Sequence, residues 1–200
     1  MRKAKGVHAT SRPFIEPILV DASGLVSGVR QILSPNFDDR PDGCSIDLLV
    51  IHNISLPPGE FGGPGVTALF TNSLNPADHP YYKTIQDLKV SAHFFIRRDG
   101  EIIQCVSCIK RAWHAGISNW RGRERCNDFS IGIELEGSDD LPFAEEQYGA
   151  LQRLIPALMA AYPIQDVLGH SDISPGRKTD PGECFDWPRC RHIYSDISYS

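Results

Sequence analysis

Ile46-Asp47-Leu48-Leu49-Val50-Ile51-His52 is a short apolar, partly β-branched run with Asp42-Gly43 before it and Pro57-Pro58-Gly59 after it. A continuous apolar run of this length between turn signals predicts a buried strand, with His52 at its end. Further along, Ser130-Ile131-Gly132-Ile133-Glu134-Leu135-Glu136 predicts a second strand. Its alternation puts Ile131, Ile133 and Leu135 on one face and Glu134 and Glu136 on the other. Between the two, Ala92 to Val106 reads as a hairpin, two apolar runs around Asp99-Gly100, a dipeptide that tolerates the positive φ angles of a tight turn.

The helices are fewer. Pro64 is placed to open a short one through Val66, Leu69 and Phe70. Residues 72–88 read as a long loop, either a cover or lining for a site or a surface excursion. From about Glu145 to Tyr162, the positions of Tyr148, Leu151, Ile155, Leu158, Met159 and Tyr162 follow the three-and-four spacing of one buried helix face. Pro156 lies within that span, where a missing N–H and a clash with the preceding turn predict a kink or a split. A last strand, Asp166 to Leu168, delivers His170 to a loop. The expected fold is an α/β (α+β) single domain, a central mixed β-sheet flanked by helices.

Two hundred residues with an ordinary globular composition fit one domain. The first 17 residues are basic, contain Pro13 and Pro17, and have no period. They read as a loosely held extension, which leaves 18–200 as the domain. A net charge of −5 offers no basic field for a phosphate backbone, so no nucleic-acid partner is expected. The apolar stretch that a secretory signal needs is broken by Pro13, Glu16, Pro17 and Asp21. No run approaches the roughly 20 apolar residues of a membrane span, so no membrane partner is expected either. These features predict a soluble cytoplasmic protein, and nothing in them calls for more than a monomer. Six cysteines are expected to stay reduced, because a chain this long can fill a core without disulfides. Cys105 and Cys108 have the spacing of a redox or zinc pair, but they follow a strand and lack a second close pair, so a structural role is expected.

Two features sit at predicted strand ends. One is His52. The other is the segment Gly169 to Gly182, which holds His170, Lys178 and Asp180 around a reversal at Ser174-Pro175-Gly176. Two imidazoles and a carboxylate with one position left open make the donor set of a catalytic zinc. Spacing alone leaves the choice open, since His93 or His114 could replace either histidine.

Leu49 through Pro64, Val90-Ser91-Ala92-His93, Arg97-Arg98-Asp99-Gly100, Arg111-Ala112-Trp113-His114-Ala115-Gly116, Gly122 through Gly137 and Arg177-Lys178-Thr179-Asp180-Pro181-Gly182 together resemble the zinc amidase and peptidoglycan-recognition family. The likeness is to its cytosolic members and covers about residues 18 to 190. It implies a peptidoglycan-recognition/amidase fold holding one Zn2+. It also implies hydrolysis of the bond between a muramic-acid lactyl group and the L-alanine of its stem peptide, with recycled anhydro-muropeptides as substrate.

Position by position, the resemblance makes His52, His170 and Asp180 the metal ligands, Glu134 the base and Lys178 the stabiliser of the developing oxyanion. Asn53, Tyr81, Lys89, Trp113 and Arg125 become substrate contacts. Lys89 stands where relatives can carry Arg, which weakens the case for a two-pronged carboxylate clamp there. His93 and His114 are expected to be buried, hydrogen-bonded residues of the site's floor. An amidase acting on intact murein and a non-catalytic peptidoglycan-binding receptor are the rival readings. The first would carry a signal or wall-binding segment, the second a lost ligand.

Overall fold

The computed structural model describes residues 18–195, and the expected extension at 1–17 lies outside them. Its strands are β1 (Arg30–Gln31), β2 (Phe37–Asp39), β3 (Leu48–Ile54), β4 (Phe94–Ile96), β5 (Ile102–Gln104), β6 (Lys110–Ala112), β7 (Asn119–Trp120), β8 (Arg123–Glu124), β9 (Ser130–Glu136) and β10 (Asp166–Gly169). The helices are α1 (Gly65–Phe70), α2 (Pro80–Ile85), α3 (Glu145–Ala161), α4 (His170–Ile173) and α5 (Trp187–Ser195).

Six strands form one mixed sheet in the order β1-β5-β4-β9-β3-β10. Only β4 and β5, the predicted hairpin, run antiparallel within it. β3 and β9 each have a parallel partner on both sides, so neither presents an edge. Strands in that position are covered on both faces, which explains why the run at 46–51 has no polar face.

The two faces of the sheet differ. Leu49, Ile51, Ile131, Ile133 and Leu135 pack with Leu151, Leu154, Ile155 and Leu158 of α3, and Cys190 of α5 closes the same core. On the other face Phe95 packs with Leu56, Leu69, Phe70 and Tyr82. Leu48 and Val50 meet Phe129 and Ile173 there. Parallel register pairs His52 with Glu134, so both side chains project from that second face.

Several expectations need correction. β3 continues through Ile54, so His52 lies inside the strand and not at its end, because pairing with β9 persists to Glu136. The segment 72–88 is not simply a loop. His79 accepts a hydrogen bond from the Tyr81 N–H and Pro80 opens α2 behind it. His170 is the first residue of α4 instead of a loop residue, with the Asp172 carboxylate accepting from the Gly169 N–H.

The hairpin turn is also longer than Asp99-Gly100. Arg97 to Gly100 form it, and Gly100 alone takes a positive φ, +83°. A Cβ there would meet the Glu146 carbonyl at 2.7 Å, so glycine serves both the turn and the approach of α3. All six cysteines are free thiols. Burial pushes Cys105 and Cys108 up to about 12, which leaves them unreactive. No described helix is long and apolar enough to cross a membrane.

α3 runs unbroken through Pro156. The proline removes one donor, the partner of the Gln152 carbonyl, at a cost of about 3 kcal/mol. Four buried leucines and isoleucines on the same helix each return about 1.5–3 kcal/mol, so packing decides the outcome. Pro156→Ala should therefore raise stability, by up to about 3 kcal/mol in urea unfolding. A variant less stable than wild type would show that the ring's own packing outweighs the lost hydrogen bond.

Candidate active site

His52 stands on β3, His170 opens α4 directly after β10, and Asp180 sits in the return from α4. β10 lies parallel to β3 with Gly169 opposite Ile51, which brings His170 beside His52. Ser171 donates its N–H to the Asp180 carbonyl, tying the return loop to α4. Asn53 holds the same loop, donating from Nδ2 to the Pro181 carbonyl at 3.1 Å and to Asp139 at 2.6 Å. Gly169 has no side chain where a Cβ would meet Pro181 Cδ at 2.8 Å.

His52 Nδ1, His170 Nδ1 and Asp180 Oδ2 are mutually 3.0 Å apart. Bonds of about 2.0–2.2 Å at tetrahedral angles would separate such donors by roughly 3.3 Å, so the set fits one small cation. Among the described residues this is the one group of three with that convergence. Three lone pairs directed at one point are mutually repulsive unless a cation or proton stands between them. Two nitrogens and one carboxylate oxygen suit zinc and its neighbours among divalent ions.

Glu134 is buried beside His52, and its Oε2 has no hydrogen-bond partner among the described residues. Burial, aided by the charge of Asp180, raises its pKa well above the ordinary carboxyl value, while Lys178 pulls the other way. Burial also presses on Asp180, but the imidazoles of His170 and His52, between which and its Oδ2 a proton can be shared when no cation is there, outweigh it and hold that carboxyl well below the usual range. Lys178 lines the pocket and has no ion-pair partner among the described residues. The cavity measures about 270 Å³, with Tyr81, Ile85, Leu88 and Trp113 on its apolar wall and Asn53 on its rim.

Eight of the ten predicted site residues thus meet in one pocket. The other two do not line it. Lys89 lies between Leu88 and Val90, which do, while its own side chain is exposed. Arg125 lines a neighbouring cleft of about 480 Å³ with Ile117 and Arg177, and pairs with Asp128 at 2.9 Å.

Around the pocket lie further residues, some of which no sequence pattern singled out. β6 leads into Trp113-His114-Ala115, whose backbone is fixed by Asn127 Oδ1 accepting from the N–H groups of His114 and Ala115. The Ala115 carbonyl accepts from His170 Nε2 at 3.0 Å and from Arg177 at 2.8 Å. Arg40 is half-buried and donates to the carbonyls of Cys108, Asn127, Asp128 and Ser130. Burial lowers its pKa to about 10. Arg40 lies in a stretch without period or motif, so only tertiary structure could find it. His93 is buried and hydrogen-bonded as expected, whereas His114, also hydrogen-bonded, is only half-buried and lines the pocket.

Fold and pocket together define a mixed α/β domain whose His52-His170-Asp180 set can hold one metal ion. Residues 42–183 match the family described as N-acetylmuramoyl-L-alanine amidase. The 1,6-anhydro-N-acetylmuramyl-L-alanine amidase AmpD of Salmonella typhimurium is 56% identical over 184 residues, covering 91% of this chain and 98% of that protein. A crystal structure of a selenomethionine AmpD derivative superposes with a TM-score of 0.85 at 55% identity, over 88% of this chain and 98% of that one. The amidase AmiD of Escherichia coli, solved with anhydro-N-acetylmuramic acid-L-Ala-D-γ-Glu-L-Lys, gives 0.54 at 31% identity, over 88% of this chain and 65% of that one. The chain belongs to the N-acetylmuramoyl-L-alanine amidase family.

The buried histidines set a pH window for the metal-free protein. Burial lowers His52 to about 4 and His93 to about 3, and lowers His114 well below 6.5. Below pH 6.5 the unfolded chain takes up three protons that the native rings refuse, so acid favours unfolding. Glu134 opposes this, because the native state holds its proton above the ordinary value of 4.5. The net excess in the unfolded state approaches two protons between 4.5 and 6.5. Stability of the chelated protein should fall with acidification across that window, by up to about 3 kcal/mol per pH unit. Urea unfolding at half-unit pH steps checks it, and a flat profile would contradict neutral, buried rings.

Proposed function

We propose that this chain hydrolyses the amide bond between anhydro-N-acetylmuramic acid and the L-alanine of its stem peptide, with zinc as its metal, in cytoplasmic recycling of wall fragments. The observation that carries the reading is the unpartnered Glu134 Oε2 on the same sheet face as a His52-His170-Asp180 donor set. The relatives support the substrate, since AmpD of Salmonella typhimurium is named for this anhydro-muramyl bond. We assign the activity to residues 18–200, acting as a monomer.

His52, His170 and Asp180 would hold the ion. When bound, zinc lowers the pKa of water to about 7 and polarises a carbonyl oxygen. Glu134 would accept the attacking water's proton, and burial, which raises its pKa above the ordinary carboxyl value, makes it a stronger base than a solvated glutamate. It then returns that proton to the alanine nitrogen, turning a poor leaving group into an amine. Lys178 brings a positive charge to the carbonyl oxygen as it becomes negative. Tyr81 and Trp113 offer flat apolar surface to the sugar and the start of the peptide. Asn53 spends its amide protons on Asp139 and Pro181, so its free oxygen is the group left for a substrate N–H. Lys89 and Arg125, which do not line the pocket, would meet carboxylates farther along the stem.

Purified anhydro-muropeptide incubated with the protein should release the free peptide, followed by mass spectrometry. Glu134→Ala should lose about 10²–10⁴-fold in rate, and Asp180→Ala should lose activity together with metal. Chelation should abolish cleavage while circular dichroism stays native, because the apolar core does not include the ligands. Unreduced rates in both variants would discard the mechanism. Equal cleavage of intact murein would favour the wall-degrading alternative.

A further inference from the structure

Protons can be counted outward from a backbone carbonyl behind the pocket. Ser130 Oγ lies 2.6 Å from the Cys126 carbonyl oxygen, which can only accept, so the hydroxyl proton is committed there. The same Oγ is 3.2 Å from His114 Nε2. With its proton spent, the hydroxyl can only accept from the ring, so His114 carries its proton on Nε2. No carboxylate touches His114 among the described residues, and nothing there would hold a second proton on the ring. Its Nδ1 is therefore a bare lone pair, 2.9 Å from His52 Nε2. His52 must donate from Nε2, which leaves its Nδ1 unprotonated and facing His170 Nδ1 and Asp180 Oδ2.

The surroundings are shaped to keep this arrangement. A Cβ on Gly132 would stand 2.5 Å from His114 Cγ, so β9 is bare where the ring lies against it. Asn127 Oδ1 fixes the backbone of His114 and Ala115 together, at 3.1 and 2.8 Å. One dipeptide thus backs both imidazole ligands, His52 through the His114 ring and His170 through the Ala115 carbonyl.

We propose that His114 and Ser130 are positioning residues, which lock His52 in its Nε2–H form and so present Nδ1 to the metal. This rests on the reading of the pocket as a metal site. Partners of this kind, when lost, typically weaken metal binding 10–100-fold.

Two measurements test it. Long-range ¹H–¹⁵N spectra of the metal-free protein should show His52 and His114 both protonated at Nε2, and Ser130→Ala should mix the two forms of His114. Zinc affinity from chelator competition should fall by about 10–100-fold in His114→Leu. It should be largely restored in His114→Asn, whose Oδ1 can accept where Nδ1 did. If wild type fails to bind zinc stoichiometrically, the metal-site reading falls. If wild type binds but shows His52 protonated at Nδ1, or if folded His114→Leu binds as wild type does, the positioning role falls alone. Should His114→Leu not fold, the spectra of wild type and Ser130→Ala still decide.

Discussion

The pocket depends on the parallel register between β3 and β9, which sets Glu134 opposite His52 and buries a carboxyl with one oxygen unpartnered. A slip of one residue would turn Glu134 toward α3 and bring its apolar neighbours to the site. What prevents the slip is the other face of the same strand. Ile131, Ile133 and Leu135 are fully buried against α3 and the neighbouring strands, and exchanging them with glutamates would lose most of the core. Hydrophobic packing on one side of the sheet thus secures the polar chemistry on the other.

The same pocket drives two carboxyls in opposite directions. Both are desolvated, and desolvation alone would raise both. Asp180 escapes because two imidazole nitrogens lie 3.0 Å from one of its oxygens. Glu134 has no such partner, only a longer-range pull from Lys178. Environment therefore separates the roles, one carboxyl staying ionised as a ligand and the other holding its proton more tightly than an ordinary carboxyl.

How much of this the sequence carried varies by level. The central strands were legible because burial writes itself as apolar runs and alternation, and Gly100 marked the hairpin. The length of β3 was not, since Asn53 and Ile54 are only half-buried and the pairing that extends the strand comes from β9. α2 was missed because six residues give too little period, although His79-Pro80 was a usable start signal. The metal ligands were ambiguous among seven histidines by spacing, and only the long collinear resemblance chose among them. Arg40 and Ser130 act on atoms far away in sequence, through backbone carbonyls that any residue could supply, so no local pattern encodes them. The separation of Arg125 from the main pocket likewise follows from the path of the β7–β8 ribbon and not from its motif.

The choice of partners behind the ligands bears on the strength of the site. A carboxylate behind a ligating imidazole would make the ring more basic and put more negative charge near the ion. Here the partners are a neutral imidazole and a peptide carbonyl, which orient the rings while adding no charge. Among the described residues lining the pocket, the anions are Asp180 of the donor set and, when ionised, Glu134, and Lys178 offsets one of them. A divalent ion held this way keeps a net positive surplus in a pocket of low dielectric. That surplus is what acidifies water and draws electrons from a carbonyl, so neutral backing favours Lewis acidity, while the rigid dipeptide His114-Ala115 supplies the orientation that charge would otherwise provide.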